Sequence, residues 1–125
     1  MVKLIVNKST DGKERNLTYD EVGEKYLITE DGDTVIEYGK DTNWRVFVRE
    51  YTKEAESDDK ELLKALVFGF ITANYPKEWR MGQSVFNAVD DLFGVARYLQ
   101  FEKGLDCFYA DESVEAFLDG VLSIV

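Results

Sequence analysis

The chain has 125 residues, of which 45% are hydrophobic and 32% charged, and its formal net charge is -10 at pH 7. This length is typical of one domain with a buried core, and the charged content argues against a membrane protein. Neither half of the chain is basic, which disfavours direct binding to nucleic acid. With no apolar run of ~20 residues and no signal peptide in the N-terminal pattern, we expect a soluble, cytoplasmic, single-domain protein.

The first half, residues 1–56, is predicted to consist mainly of strands, because its apolar residues tend to recur at every second position. Val2, Leu4 and Val6 indicate a first strand. A polar turn around Asp11-Gly12 is expected within residues 9–16.

A β-hairpin is predicted around Asp31-Gly32. The strands would be residues 25–29 and 34–39, because an Asp-Gly pair suits the two positive φ angles of a type I′ turn. With these two turn residues, Ile28 would face Val35, and Leu27 would face Ile36.

Residues 44–51 are predicted to form a further strand, with Trp44, Val46 and Val48 on one face. The opposite face would carry a candidate binding surface, because arginine and aromatic residues exposed together favour interfaces. This candidate sheet surface comprises Arg45, Phe47, Arg49 and Tyr51.

From Ser57 onward, residues 57–125, the apolar period becomes that of a helix. A buried central helix is predicted from a cap at residues 57–59 to about Asn74, ahead of Pro76. A last amphipathic helix is predicted for residues 111–125, with Asp111 as its cap.

The most distinctive segment is residues 80–109. A helical stripe of apolar residues there faces the core, and Gly94 could divide the helix in two. The polar edge of this stripe is not explained by core packing and could line a groove that holds a peptide or another protein. This candidate groove comprises Arg80, Gln83, Asn87, Asp90 and Arg97.

A motif in the same segment resembles a pattern of small uncharacterised bacterial and prophage proteins. Its first part is Arg80-x-Gly82-Gln83-x-x-Phe86-Asn87, and its second part is Asp106-Cys107-Phe108-Tyr109 followed by an acidic residue. The resemblance covers about forty residues and implies a phage or mobile-element setting without implying an activity.

Catalytic chemistry is strongly restricted by composition, because the chain has no histidine and one cysteine. Serine or cysteine catalysis with a histidine base, and zinc sites with histidine ligands, are therefore excluded within this chain. The acidic neighbour of Cys107 would not favour a thiolate, so we expect this residue to be buried. No catalytic residue, metal site or cofactor is predicted.

The sequence thus predicts an α+β fold, in which an antiparallel sheet of three to four strands packs against about three to four helices. The leading hypothesis is a non-enzymatic protein that binds another protein, for example a phage accessory protein. Two alternatives stay open: an acidic inhibitor that mimics nucleic acid, and an enzyme that uses carboxylate, tyrosine or cysteine chemistry.

Overall fold

The computed structural model describes residues 2–10, 13–52 and 58–125. It shows an α+β architecture in which the strands come first and a group of helices follows, as the sequence predicts. The sheet is antiparallel, with four strands in the order of the chain. Its strands are β1 (Val2–Thr10), β2 (Lys13–Asp20), β3 (Lys25–Glu30) and β4 (Asp33–Gly39).

The predicted β3–β4 hairpin is present, and its turn has the expected backbone. Asp31 and Gly32 both have positive φ angles, 51° and 89°. The predicted register is wrong by one residue beyond the turn, since Ile28 pairs with Ile36 and not with Val35. An irregularity between Ile28 and Thr29 absorbs the extra residue, so that Val35 is left 46% exposed.

The predicted turn around Asp11-Gly12 lies outside the described residues, as does the predicted cap residue Ser57. The strand before that turn is longer than predicted, and β2, which follows the turn, was not predicted as a strand. Residues 9, 10 and 13–16 belong to β1 and β2.

The helices comprise α1 (Trp44–Thr52), α2 (Asp59–Asn74), α3 (Met81–Phe93), α4 (Ala96–Glu102) and α5 (Val114–Ile124), with a short 3-10 turn at Asp111–Ser113. The central helix is confirmed as α2, which touches β1, α1, α3 and α5. The Asp58 carboxylate caps it by accepting a 2.9 Å hydrogen bond from the backbone N–H of Glu61.

The strand predicted for residues 44–51 is wrong, because these residues form α1. Trp44, Phe47, Val48 and Tyr51 follow helical spacing as well as β-type composition, so the pattern fits both structures. Asn43 favours the helix locally, since its side-chain oxygen accepts a 2.9 Å hydrogen bond from the N–H of Arg45. The helix buries Phe47, Val48 and Tyr51 against the core and leaves Val46 49% exposed.

One buried cluster contains side chains from both halves of the chain. Leu17 and Ile28 of the sheet are fully buried together with residues of all five helices. The described helices include none that is long and apolar enough to cross a lipid bilayer.

Candidate functional site

The distinctive segment folds as two helices and a loop. Gly94 ends α3 in the left-handed conformation, with φ 70°, and its N–H bonds to the carbonyl of Asp90. A residue without a side chain adopts this conformation at least cost, and helices commonly end this way. As a consequence, Arg97 belongs to α4. The predicted polar edge therefore does not run along a single helix, because Gln83 and Asp90 lie on α3 and Arg97 on α4.

The loop after α4 is fastened to the first turn of α3. The Asp111 carboxylate accepts a 2.9 Å hydrogen bond from the N–H of Gly82, which lies in the first turn of α3. Asp111 thus caps α3 and not the last helix, where the sequence placed its cap. A β-carbon at Gly82 would lie 1.9 Å from the carbonyl oxygen of Cys107, so the close packing here requires glycine. The two parts of the motif are consequently one packed unit.

A shallow groove of about 260 Å³ lies between α3, α4 and this loop. We call it the aromatic groove; its lining residues are Phe86, Arg97, Gln100, Phe101, Phe108 and Tyr109. Phe101 is 77% exposed and Tyr109 is 78% exposed, which is unusual for side chains of this size and apolar content.

The inner wall of the aromatic groove is held by the core. Phe86 packs on the fully buried Phe117, with ring centroids 5.7 Å apart, and meets Phe108 edge to face at 5.6 Å. The Asp106 carboxylate fixes the loop by accepting hydrogen bonds from Gln100 Nε2 at 3.0 Å and from the N–H of Phe108 at 2.9 Å. The exposed rings of Phe101 and Tyr109 are therefore attached to a well-packed helix and loop.

Two arginines border the aromatic groove. Arg80 donates a 2.8 Å hydrogen bond to the carbonyl of Phe108, and its guanidinium carbon lies 5.8 Å from the ring centre of Tyr109. Arg97 is exposed and has no hydrogen bond or ion pair with any residue that the structure describes. It is thus a positive charge available to a partner.

The candidate groove predicted from the polar edge is only partly assembled. Arg97 lines the aromatic groove, and Arg80 lies outside the lining but contacts the lining residues Phe108 and Tyr109. Gln83, Asn87 and Asp90 are half-buried residues of α3 outside the lining. Asn87 donates a 2.9 Å hydrogen bond to the backbone carbonyl of Gln83, which is a contact within the helix.

The candidate sheet surface is dispersed, because its four residues lie on a helix. Phe47 and Tyr51 are 4% and 3% exposed and belong to the core. Burial raises the pKa of Tyr51 far above its usual range, and the nearby charge of Arg15 only partly opposes this. Arg45 and Arg49 form ion pairs with Asp59, at 2.8 Å and 3.6 Å.

Cys107 is fully buried, as the sequence predicts. Its thiol donates to the carbonyl of Gly82 at 3.4 Å. Burial, together with the charges of Asp106 and Asp111, raises the pKa of this thiol to about 12. Since the thiolate is the reactive form, Cys107 is a poor nucleophile near neutral pH. The described ranges contain no group of three or more acidic or cysteine side chains arranged to hold a metal ion.

Five lining residues of the aromatic groove were absent from the predicted sites: Phe86, Gln100, Phe101, Phe108 and Tyr109. The available signal was Phe101, which lies one helical turn after Arg97 and outside the apolar stripe. The chain matches no family model, and comparison with curated proteins and with solved structures likewise gives no match.

Proposed function

We propose that the protein binds another protein by taking a short apolar segment with one acidic side chain into the aromatic groove. The observation that supports this most is that two largely exposed aromatic rings, Phe101 and Tyr109, line the same groove as Arg97, whose charge has no partner among the described residues. Aromatic residues and arginine contribute most of the binding energy at many protein interfaces.

The partner's chemistry follows from the lining. The rings of Phe101, Phe108 and Tyr109 offer apolar area to one or two aliphatic or aromatic side chains. Arg97 offers a planar set of donors to a single carboxylate. A strongly acidic partner is disfavoured because the chain itself carries a net charge of -10. Such a role would also suit the phage or prophage setting that the motif resemblance implies.

The test is a selection of random displayed peptides on the whole protein, followed by affinity measurement of a synthetic selected peptide. We expect enriched peptides to combine apolar residues with one aspartate or glutamate. Phe101→Ser should weaken binding at least tenfold, which corresponds to about 1.4 kcal/mol, and Arg97→Ala should weaken it about fivefold.

Matched controls lie on the sheet side of the chain. Val22→Ser removes an exposed aliphatic side chain in a turn, and Lys40→Ala removes an exposed positive charge. Both should leave the affinity unchanged. A selection without such peptides, or peptides that bind the groove variants as tightly as the unaltered protein, would contradict the proposal.

A further inference from the structure

A second cavity lies between the sheet and the helices, away from the aromatic groove. Its volume is about 430 Å³, which is within the range of small-molecule sites. The lining comes from β2, β3, the start of α1, the middle of α2 and the end of α3. Six of the described lining residues are aromatic: Tyr19, Tyr26, Trp44, Phe47, Phe70 and Phe93.

Several of these lining rings pack against one another. Tyr26 stacks on Phe47 with ring centroids 4.6 Å apart, and Tyr19 is tilted against Tyr26 at 4.9 Å. On the α3 side, Trp44 meets Phe93 edge to face at 5.8 Å. An aromatic ring attracts a cation to its face, so a lining rich in aromatic rings favours a bound cation.

Among the lining residues that the structure describes, Asp91 is the only charged one. It accepts a hydrogen bond from the hydroxyl of Tyr75, which leaves the carboxylate one further oxygen for a ligand. Burial and this bond to Asp91 raise the pKa of Tyr75 well above its usual range, so Tyr75 stays a neutral donor. The fixed charge of the lining is therefore negative.

One positive side chain, Arg45, lies close to the cavity, and its charge is paired with Asp59. The guanidinium of Arg45 is 4.8 Å from the ring centre of Trp44 and forms a 2.8 Å ion pair with Asp59. Arg45 is not itself part of the lining. Its paired charge opposes a cation in the cavity much less than a free guanidinium would.

We propose that this cavity binds a small organic cation with an aromatic or aliphatic body, in which the ammonium group pairs with Asp91 and the body lies among the rings. The site is independent of the aromatic groove, because the two share no lining residue. Ring faces supply attraction for the cation, and the apolar area of the rings supplies attraction for the body.

The test uses three probes that share a phenyl ring and differ in charge: phenethylamine, 2-phenylethanol and phenylacetate. The chain has two tryptophans, so a Trp79→Phe background leaves Trp44 as the single fluorescent indole within the cavity wall. Phenethylamine should change the emission of Trp44 saturably. We expect it to bind about fivefold more tightly than 2-phenylethanol, and phenylacetate to bind most weakly.

A second variant assigns the charge preference to one side chain. Asp91→Asn in the same background should weaken phenethylamine binding about threefold to fivefold and leave 2-phenylethanol binding unchanged. The absence of saturable binding, or equal binding of all three probes, would overturn the site. An undiminished preference for the amine in the Asp91→Asn variant would overturn the role of Asp91. The comparison of the three probes is made with Asp91 in place, so it does not depend on whether the Asp91→Asn variant folds.

Discussion

Asp111 shows how a single residue can stabilise an element distant from it in sequence. The residue before α3, Arg80, provides no capping hydrogen bond, so the first turn of that helix lacks a local acceptor. Asp111 supplies one from 29 positions away and also lies 3.8 Å from Arg80. The negative charge is favourable at the positive end of the helix dipole.

We expect Asp111→Ala to lower the free energy of unfolding by about 1 kcal/mol, the usual cost of losing a helix cap. Asp111→Asn should cost less than half as much, because the amide oxygen can still accept the hydrogen bond from Gly82. Urea denaturation followed by circular dichroism measures both. If the two substitutions were equally costly, the charge beside Arg80, and not the cap, would carry the effect.

At the scale of elements, α1 is where tertiary packing decides between two structures. In a strand, Val46 and Val48 would lie on the same face and have similar burial. In the helix they point about 200° apart, and the structure leaves Val46 49% exposed while Val48 is fully buried.

This difference in burial predicts that a charged substitution is tolerated at Val46 and not at Val48. Val46→Asp should change the free energy of unfolding by less than about 0.5 kcal/mol, because the new charge stays in water. Val48→Asp should cost more than about 3 kcal/mol, since it places an unpaired carboxylate in the core. Denaturant unfolding of the two variants measures this contrast, and similar losses in both would favour a strand.

The helices α2 and α5 are joined by an exposed network of ion pairs. Lys60 lies 2.9 Å from Glu115 and 3.0 Å from Asp119, and Lys64 lies 2.8 Å from Glu115. Hydrogen bonds from Lys64 and then Lys60 lower the pKa of Glu115 from 4.5 to about 2. Solvent and salt screen such a network, so its contribution to stability is small.

The lowered pKa of Glu115 determines the pH range in which its ion pairs stabilise the fold. A carboxylate with a depressed pKa in the folded state stabilises the fold above its unfolded pKa and loses that effect as the pH falls. The difference in unfolding temperature between the unaltered protein and Glu115→Gln should therefore be constant above pH 4.5 and vanish toward about pH 2. It should also shrink in high salt.

Glu112→Gln is the matched control for this measurement. Glu112 is exposed and has no ion pair with a described residue. Its substitution should leave the unfolding temperature nearly unchanged throughout the same pH range. A Glu115→Gln effect that persisted at pH 2 would show that the ion pairs with the two lysines are not its cause.

At the scale of the whole molecule, the sequence predicted the fold class and most of its elements for identifiable physical reasons. The Asp31-Gly32 turn depends on local backbone preference, and the apolar periodicity of α2 depends on one buried face. Residues 44–51 could not be assigned in this way, because their pattern fits either period. The bulge that exposes Val35 likewise depends on pairing across the sheet.

The candidate site was predicted only in part, because exposure of an aromatic residue depends on how distant elements pack. Arg80 and Arg97 were predicted because they are polar residues at the edge of an apolar helical stripe, where core packing does not explain them. Phe101 and Tyr109 were missed because phenylalanine and tyrosine ordinarily contribute to a core in a chain of this composition. Tyr109 lies in the loop that Asp106 and Asp111 fasten to α4 and α3, and Phe101 lies near the end of α4.

A double-mutant cycle between Arg97 and the acidic residue of a selected peptide tests the proposed function most directly. The four affinities come from the unaltered protein or Arg97→Ala, each with the peptide or its variant with alanine in place of the acid. We expect the two changes to be coupled by about 1 kcal/mol, since two groups in contact are not independent. Additive losses, with a coupling near zero, would contradict recognition of a carboxylate by Arg97 in the aromatic groove.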